Sequence, residues 1–309
     1  MSAISKAIPD DIDPNLNPFY PGTTYQYAWD STSLGQLKEC PQKYYLSMVR
    51  GLRGGAASIH LEFGILYHKA LENYDKLRAH GVTHTTAEEI VVKELLVVTY
   101  GWEFDHNLKT RETLIRTVVW YLEQFGDNDP ATTVVLNSGV PAVELSFRLQ
   151  VDDELVLCGH LDRVVEFQGQ NYVMDRKTSN STISSYYFDQ FSPDNQMSLY
   201  TLAGSIIYDN PVKGVIIDAA QIAVGFSRFE RAMVYRTDTQ TTEWLRDTKL
   251  FIEQSRRYSD LNYWPRNDKS CHKYGGCPFR QICASDPRVR ETFISSNFSV
   301  VPWNPLIPR

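Results

Sequence analysis

Asp162 in "GHLDRVVEF", with Asp175 and Lys177 in "VMDRKTS", are the residues of this chain whose types and spacing could do chemistry. Each sits in an apolar, β-branched run of strand character. On a strand, residues two apart project from one face, so the Asp175 carboxylate and the Lys177 ammonium would stand together while Arg176 points away. Alone, such a pair is ordinarily a salt bridge of little energetic weight. With Asp162 on a neighbouring strand, two hard oxygen donors could share one Mg or Mn ion, water completing its shell. That ion can polarise a phosphoryl oxygen and activate a bound water, and a nearby ammonium can stabilise charge in the transition state. The combination is the chemistry of phosphodiester hydrolysis.

A second constellation is made of thiols. Cys158 stands alone in "ELVLCGHLDRVVEF" and reads as a small core residue. Cys40 lies near the front, and Cys271, Cys277 and Cys283 cluster in "CHKYGGCPFRQIC" near the back. Clustered thiols in an intracellular protein point to a metal or cluster more than to disulfides. Both zinc and an iron–sulfur cluster accept four cysteine ligands. The C-x5-C-x5-C spacing with one remote cysteine departs from paired C-x2-C zinc knuckles, which favours a [4Fe–4S] cluster and keeps zinc as the alternative. Gly275, Gly276 and Pro278 supply turn geometry for a loop that wraps such a centre. Ligation would clasp Cys40 to the C-terminal segment and restrict the unfolded chain between them.

Elements must position these groups. The 309 residues, 42% hydrophobic and 12% aromatic, suffice for a sizeable core. Residues 1–30 read as a Pro- and Asn-rich extended arm, with no periodic pattern. A helical segment over 31–130, carrying Cys40 and His68, follows: a short helical hairpin or a helix kinked at Pro41, then helices over Leu61–Ala79, Thr86–Thr99 and Leu108–Phe125. Over 131–260 the pattern becomes a three-strand meander, a helix from about Pro193 to Tyr208, a strand "GVIIDAAQIAV", a short strand around "RAMVYR", and a helix from about Thr241 to Tyr258. A cysteine-rich tail occupies 261–309. The fold class is α/β, a mixed central sheet flanked by helices.

No stretch has the unbroken apolar length of a membrane span, and the N-terminus lacks the apolar core of a signal peptide. The expectation is a soluble, cytoplasmic protein of a bacterium or a virus-infected cell, with no membrane partner. A formal net charge of -6 gives no global pull toward nucleic acid, so a DNA partner would require an uneven charge distribution.

Taken in order, the motifs resemble the PD-(D/E)XK nuclease superfamily, and within it the RecB-like branch. "FGILYHKALE" offers His68 ahead of the acidic pair, Asp162 and Asp175-Arg176-Lys177 follow, and "DNQMSLYTLAG" supplies Gln196 and Tyr200, four apart on one helix face. One cysteine before this core and three after it are similar to the cluster of AddB and CRISPR-adaptation nucleases, although the spacing from Cys271 to Cys277 is longer than the usual C-x2-C. The resemblance spans about Ser33 to Cys283. It implies a restriction-endonuclease-like core and an Mg- or Mn-dependent DNA exonuclease of recombination, repair or replication. Its substrate would be single-stranded DNA or an end-containing duplex, and its associate a helicase or recombination protein.

The resemblance further implies that His68, Asp162, Asp175 and the backbone carbonyl of Arg176 hold the ions, that Lys177 supports attack on the phosphate, and that Gln196 and Tyr200 steady Lys177 or the substrate. Glu144 reads equally well as a further acidic member or as a solvent-facing residue. His160 shares a strand face with Asp162 without a specified role. Tyr44 and Tyr45, beside Lys38 and Lys43, read more readily as core than as a base-stacking surface. A nucleic-acid-binding cluster protein that retains the fold as an inactive scaffold is the alternative from another class.

Overall fold

The computed structural model describes residues 5–7, 17–55, 58–102, 106–207, 211–273 and 276–307. Gly275, Tyr208 and residues 1–4 and 8–16 of the expected N-terminal arm therefore lie outside the described residues. The chain forms two compact units, one from 1–56, 147–159 and 238–308, the other from 57–146 and 160–237.

In the first unit, strand β1 (Ser5–Ala7) is followed by β2 (Ala28–Trp29), α1 (Ser31–Glu39), α2 (Pro41–Tyr44), a π-helical turn (Tyr45–Val49) and β3 (Leu52–Gly54). Helix α1 starts at a capping box: Ser33 N donates to Asp30 Oδ1 at 2.9 Å, and Asp30 N donates to Ser33 Oγ at 3.2 Å. Pro41 then ends α1 and opens α2, where a missing N–H costs nothing. Residues 25–30, expected to belong to an extended arm, are instead core. Trp29 is fully buried and donates its indole N–H to Gln26 O at 2.8 Å. No periodic pattern announced this segment because its strand, Ala28–Trp29, is two residues long and too short to alternate.

The second unit opens with α3 (Ile59–Ala79), α4 (His84–Val98) and α5 (Arg111–Phe125). Thr83 and Thr110 cap α4 and α5, accepting from Thr86 N and Thr113 N. On α3 the buried Phe63, Tyr67, Ala70, Leu71 and Tyr74 recur at three- and four-residue intervals and pack with Val91, Leu95, Leu114 and Val118 of the other two helices. The sheet comprises β4 (Thr132–Thr133), β5 (Val143–Asp152) and β6 (Leu155–Phe167), whose residues 147–159 belong to the first unit, and β7 (Gln170–Ser179). A short α6 (Ser185–Asp189), α7 (Asn195–Ile207), β8 (Val215–Ile222) and β9 (Ser227–Val234) complete it.

Strands β6 and β7 pair antiparallel, joined by a tight turn whose Gln168 and Gly169 both have positive φ, as a two-residue hairpin of matching twist requires. The register Arg163↔Met174 brings Asp162 alongside Asp175. Strand β8 pairs parallel to β7, with Asp175↔Ile217 and Lys177↔Ala219, and β9 returns antiparallel. Every residue of β8 is buried, because helices cover both faces of the strand. Helix α5 contacts β8 and β9, whereas α7 contacts β7 and β8. Strand β9 begins at Ser227, ahead of the expected stretch around "RAMVYR", and α6 was not expected at all, since five residues carry too little periodicity to read.

The first unit resumes with α8 (Asp238–Asp260), α9 (Arg280–Ala284), α10 (Arg290–Asn297) and β10 (Phe298–Val300). Strand β10 pairs antiparallel with β3, and Gly51 beside it has φ +63 and leaves only 2.7 Å between a built Cβ and Val301 O, so no other residue fits there. Leu46, Leu52, Phe279, Ile282 and Ile294 form its small core, against which Cys277 packs. Cys158 is buried with Ala28 and Leu306, as expected of a core thiol, and burial pushes its pKa well up. Among the described residues no helix is long and apolar enough to cross a membrane.

Candidate metal centre and catalytic face

Alternation along β7 does what its sequence requires. Lys177 turns to the side of α7, where its Nζ lies 2.6 Å from Asp175 Oδ2 and donates to Gln196 Oε1 at 2.9 Å. One helical turn further, Gln196 Nε2 donates to the Tyr200 hydroxyl at 2.9 Å. The chain of contacts runs from carboxylate to ammonium to amide to phenol, and it fixes which end of the Gln196 amide faces the lysine.

Asp162 closes the site from β6. Its Oδ2 accepts the Arg176 backbone N–H at 2.9 Å and lies 3.4 Å from His68 Nδ1. His68 arrives from the first half of α3. Helix α3 passes the end of β7 at Gly64, where a Cβ would meet Thr178 Oγ1 at ordinary contact distance, 3.9 Å. Ligand atoms of His68, Glu144 and Asp162 all fall within 4.8 Å of one another, the separation expected of donors around one divalent ion. Glu144 is the member that the sequence left undecided. It is delivered by a backbone in the left-handed region, φ 52, at the second residue of β5. For a non-glycine residue that conformation costs roughly 1–2 kcal/mol, and such outliers concentrate at functional sites.

Asp175 is not part of this triad. Its carboxylate is buried, and its Oδ2 is met by the Lys177 ammonium at 2.6 Å. Burial pushes its pKa up to about 7, with Lys177 pulling down and Asp162 pushing up. Desolvation opposes charge on Lys177, but Asp175 and Asp162 outweigh it and lift the ammonium pKa. A buried carboxylate whose charge is disfavoured by desolvation and by a second carboxylate is the electrostatic setting that a divalent cation relieves. Carboxylate donors suit a hard divalent cation such as Mg or Mn.

His160, two residues from Asp162, instead meets Ser146, its Nδ1 lying 2.9 Å from the hydroxyl oxygen. Arg176 turns to the reverse face of β7, where its guanidinium reaches Asp75 Oδ2 of α3 at 2.6 Å. Arg163 lies 3.5 Å from the other oxygen of Asp75 and 3.4 Å from Asp129. Arg231 joins Asp129 at 2.6 Å and Asp218 at 3.1 Å, and Tyr121 donates to Asp218. Of this network the sequence showed only that Arg176 would face away from the site.

The thiols lie in the first unit. Cys40 follows α1 and its sulfur accepts the Asn267 backbone N–H at 3.3 Å; Cys277 N donates to Cys271 O at 3.0 Å; Cys283 rides on α9. The four interact electrostatically: Cys271 and Cys40 act on Cys277, and all three act on Cys283. Burial is the largest influence on Cys277 and Cys283 and pushes both pKa values up, opposed by Lys43 and Arg266 respectively. No three of the sulfurs approach within 4.8 Å of one another among the described residues. Tyr44 is fully buried, stacked on Trp29 at 5.3 Å and tilted against Trp264 at 5.2 Å, so it is core and offers no face to a base.

Comparison with known proteins adds the following. The family model of the PD-(D/E)XK nuclease superfamily matches residues 29–284. Among solved structures, the chain is similar to a protein from Eubacterium rectale described as a candidate exonuclease, at 10% identity and a TM-score of 0.44, covering 79% of this chain and 85% of that one. It is also similar to SSO0001, at 14% identity and a TM-score of 0.33, covering 84% of this chain and 86% of that one. No curated protein matches the chain.

Proposed function

The chain belongs to the PD-(D/E)XK nuclease superfamily, and from that premise we propose that it is a divalent-metal-dependent deoxyribonuclease of the RecB-like branch that trims DNA from an end, in recombination, repair or replication. The observation that carries this reading is the approach of His68, Glu144 and Asp162 ligand atoms within 4.8 Å, next to the Asp175–Lys177 pair. His68, Glu144, Asp162 and Asp175, with the backbone carbonyl of Arg176, would hold Mg or Mn. When bound, the ion supplies Lewis-acid polarisation of the phosphate and an activated water.

The chain's own residues do the rest. Lys177 keeps its proton because Asp175 and Asp162 favour the charged form, and as a donor without acceptor capacity it stabilises negative charge on the phosphoryl oxygens. Gln196 restrains the ammonium, and Tyr200 orients Gln196, so the lysine is positioned before substrate arrives. The test is incubation of end-labelled DNA with Mg, with Mn and with chelator. Metal-dependent release of short products from one end supports the reading. Metal-independent binding without cleavage would leave an inactive scaffold.

The RecB-like assignment extends to Cys40, Cys271, Cys277 and Cys283 as ligands of a [4Fe–4S] cluster. Both zinc and a cluster take four cysteine ligands; the C-x5-C-x5-C spacing departs from paired zinc knuckles, and the N–H directed at the Cys40 sulfur suits a thiolate. Its role is to hold α1 to the C-terminal segment. Anaerobically purified protein should contain iron and acid-labile sulfide; stoichiometric zinc without sulfide would overturn the cluster.

A further inference from the structure

Basic side chains gather at the start of α3. His60 lies in its first turn, exposed to solvent, and its ring meets that of His106 edge to face at 5.1 Å. His106 belongs to the loop that leads into α5. Its Nδ1 accepts the backbone N–H groups of Leu108 at 3.0 Å and Lys109 at 2.8 Å, so that nitrogen holds no proton and Nε2–H is left as a donor. The Lys109 side chain folds back over Phe63, one turn beyond His60, with Nζ 4.1 Å from the ring centroid. Lys109 is 2% exposed, a burial that lysine ordinarily accepts only when paired. Among the described residues, however, neither a carboxylate nor a hydrogen-bond acceptor meets its ammonium. Glu62, the acid of the first turn, is turned to the Trp102 indole N–H at 3.4 Å.

Helix α3 adds to the same sign of potential. Its N-cap Ser58 makes no side-chain hydrogen bond to the first turn, and among the described residues the Ile59 and His60 N–H groups have no acceptor. They stand at the positive end of a 21-residue helix dipole. Burial pulls the Lys109 pKa down to about 8, and burial, Lys109 and His106 together lower that of His60. Bases crowded at a helix N-terminus, with no acid among them, are complementary to an anion.

The position of the cluster says which anion. His60, Gly64 and His68 follow one another at four-residue steps along one side of α3. The cluster therefore lies about 12 Å along the helix axis from His68, and position 64 between them carries no side chain. A DNA strand presents its phosphates in series, so one whose cleaved phosphate sits at His68 and Asp162 passes the cluster within a few nucleotides. We propose that Lys109, His60, His106 Nε2–H and the N-terminus of α3 form a second phosphate site, which holds a backbone phosphate of the DNA a few nucleotides from the cleaved bond. Contacts of this kind fix the register of a strand without reading its bases. The proposal rests on the nuclease reading above and names where the rest of the strand is held.

The experiment uses the full chain in chelator, where binding is read without cleavage. The probe is a fluorescein-labelled oligothymidylate, followed by anisotropy from about 50 to about 200 mM salt. Lys109→Met removes the charge and keeps the bulk. It should weaken binding about tenfold at the lowest salt and make the slope of log K against log salt shallower by about 0.7, the share of one phosphate on a single strand. His60→Ala, at an exposed position, should weaken binding about threefold. Lys93→Met, which removes the same charge from an exposed site on α4, should change affinity by less than about twofold. In spectra of isotope-labelled histidine, inorganic phosphate and the oligonucleotide should each move the His60 and His106 signals of the wild type. Unchanged binding in both Lys109→Met and His60→Ala, or an equal loss in Lys93→Met, would overturn the site. Signals moved by inorganic phosphate alone would assign the site to free phosphate and overturn the strand contact. A shallower slope in Lys109→Met, with no cleavage by the wild type in Mg or Mn, would overturn the hydrolytic reading and leave the phosphate site standing.

Discussion

The two faces of β7 carry charge in opposite ways. On the reverse face, Arg176, Arg163 and Arg231 alternate with Asp75, Asp129 and Asp218 through short, mutual contacts, and the Arg176 Nε is the exception that lacks a directed acceptor. On the face of Asp175 and Lys177, two carboxylates crowd together against one ammonium, and Glu144 is held in a left-handed backbone. Buried charges that are paired make architecture, whereas buried charges left in excess of one sign make a binding site. A strand can serve both roles at once because adjacent residues never share a face.

Substitutions on either face sharpen or break this contrast. The largest effect is expected on the catalytic face: Asp162→Ala and Asp175→Asn should lower cleavage of end-labelled DNA by at least about a thousandfold. In chelator the Asp175→Asn protein should nonetheless melt no lower than wild type, since the change removes a carboxylate whose charge burial and Asp162 disfavour more than Lys177 favours it. Substantial activity in Asp175→Asn, or a sharp drop in its melting point, would erase the difference between the faces. Lys177→Met should lose cleavage to a similar degree while Mn binding by calorimetry is retained, because an ammonium is not a ligand.

On the reverse face the loss should appear in stability. Arg176→Met leaves Asp75 buried without its closest partner, and urea denaturation should report a loss of about 3–5 kcal/mol. Metal affinity of the protein that remains folded should be close to wild type. A variant as stable as wild type would mean the network is not structural.

A smaller effect is expected on α7. Gln196→Ala and Tyr200→Phe should reduce kcat by about tenfold, the loss of a positioning contact rather than a ligand, with no change in Mn binding. Unchanged kcat in both would show that the lysine needs no second restraint.

The smallest effect concerns Lys109, which is buried with its ammonium over the Phe63 ring at 4.1 Å. Burial pulls its pKa from 10.5 down to about 8. The folded state therefore holds this proton less tightly than the unfolded state, and stability should rise as pH increases from about 8 to about 10 as the buried charge is relieved. Lys109→Met should remove that rise in urea titrations and add about 1 kcal/mol near neutrality. An identical pH slope in the variant would assign the rise to other groups.

Much of this was legible in the sequence, and for one reason: alternation and helical periodicity are local. They put Asp175 and Lys177 on one face with Arg176 on the other, set Gln196 and Tyr200 one turn apart, gave α3 its buried stripe, and marked Cys158 as core. What the sequence left open depends on distance in space. Whether Glu144 faces solvent or the site turned on a single left-handed φ, which no neighbouring residue type announces. The partners of Arg176, Asp75 and Asp218, stand about a hundred and about forty residues away, and a charge pattern does not say which distant charge it meets. Residues 25–30 looked like a loose arm until Trp29 and Gln26 were seen buried. Which side chains can share a face is settled by backbone geometry over a few residues; which faces meet is settled only when the long loops between them close.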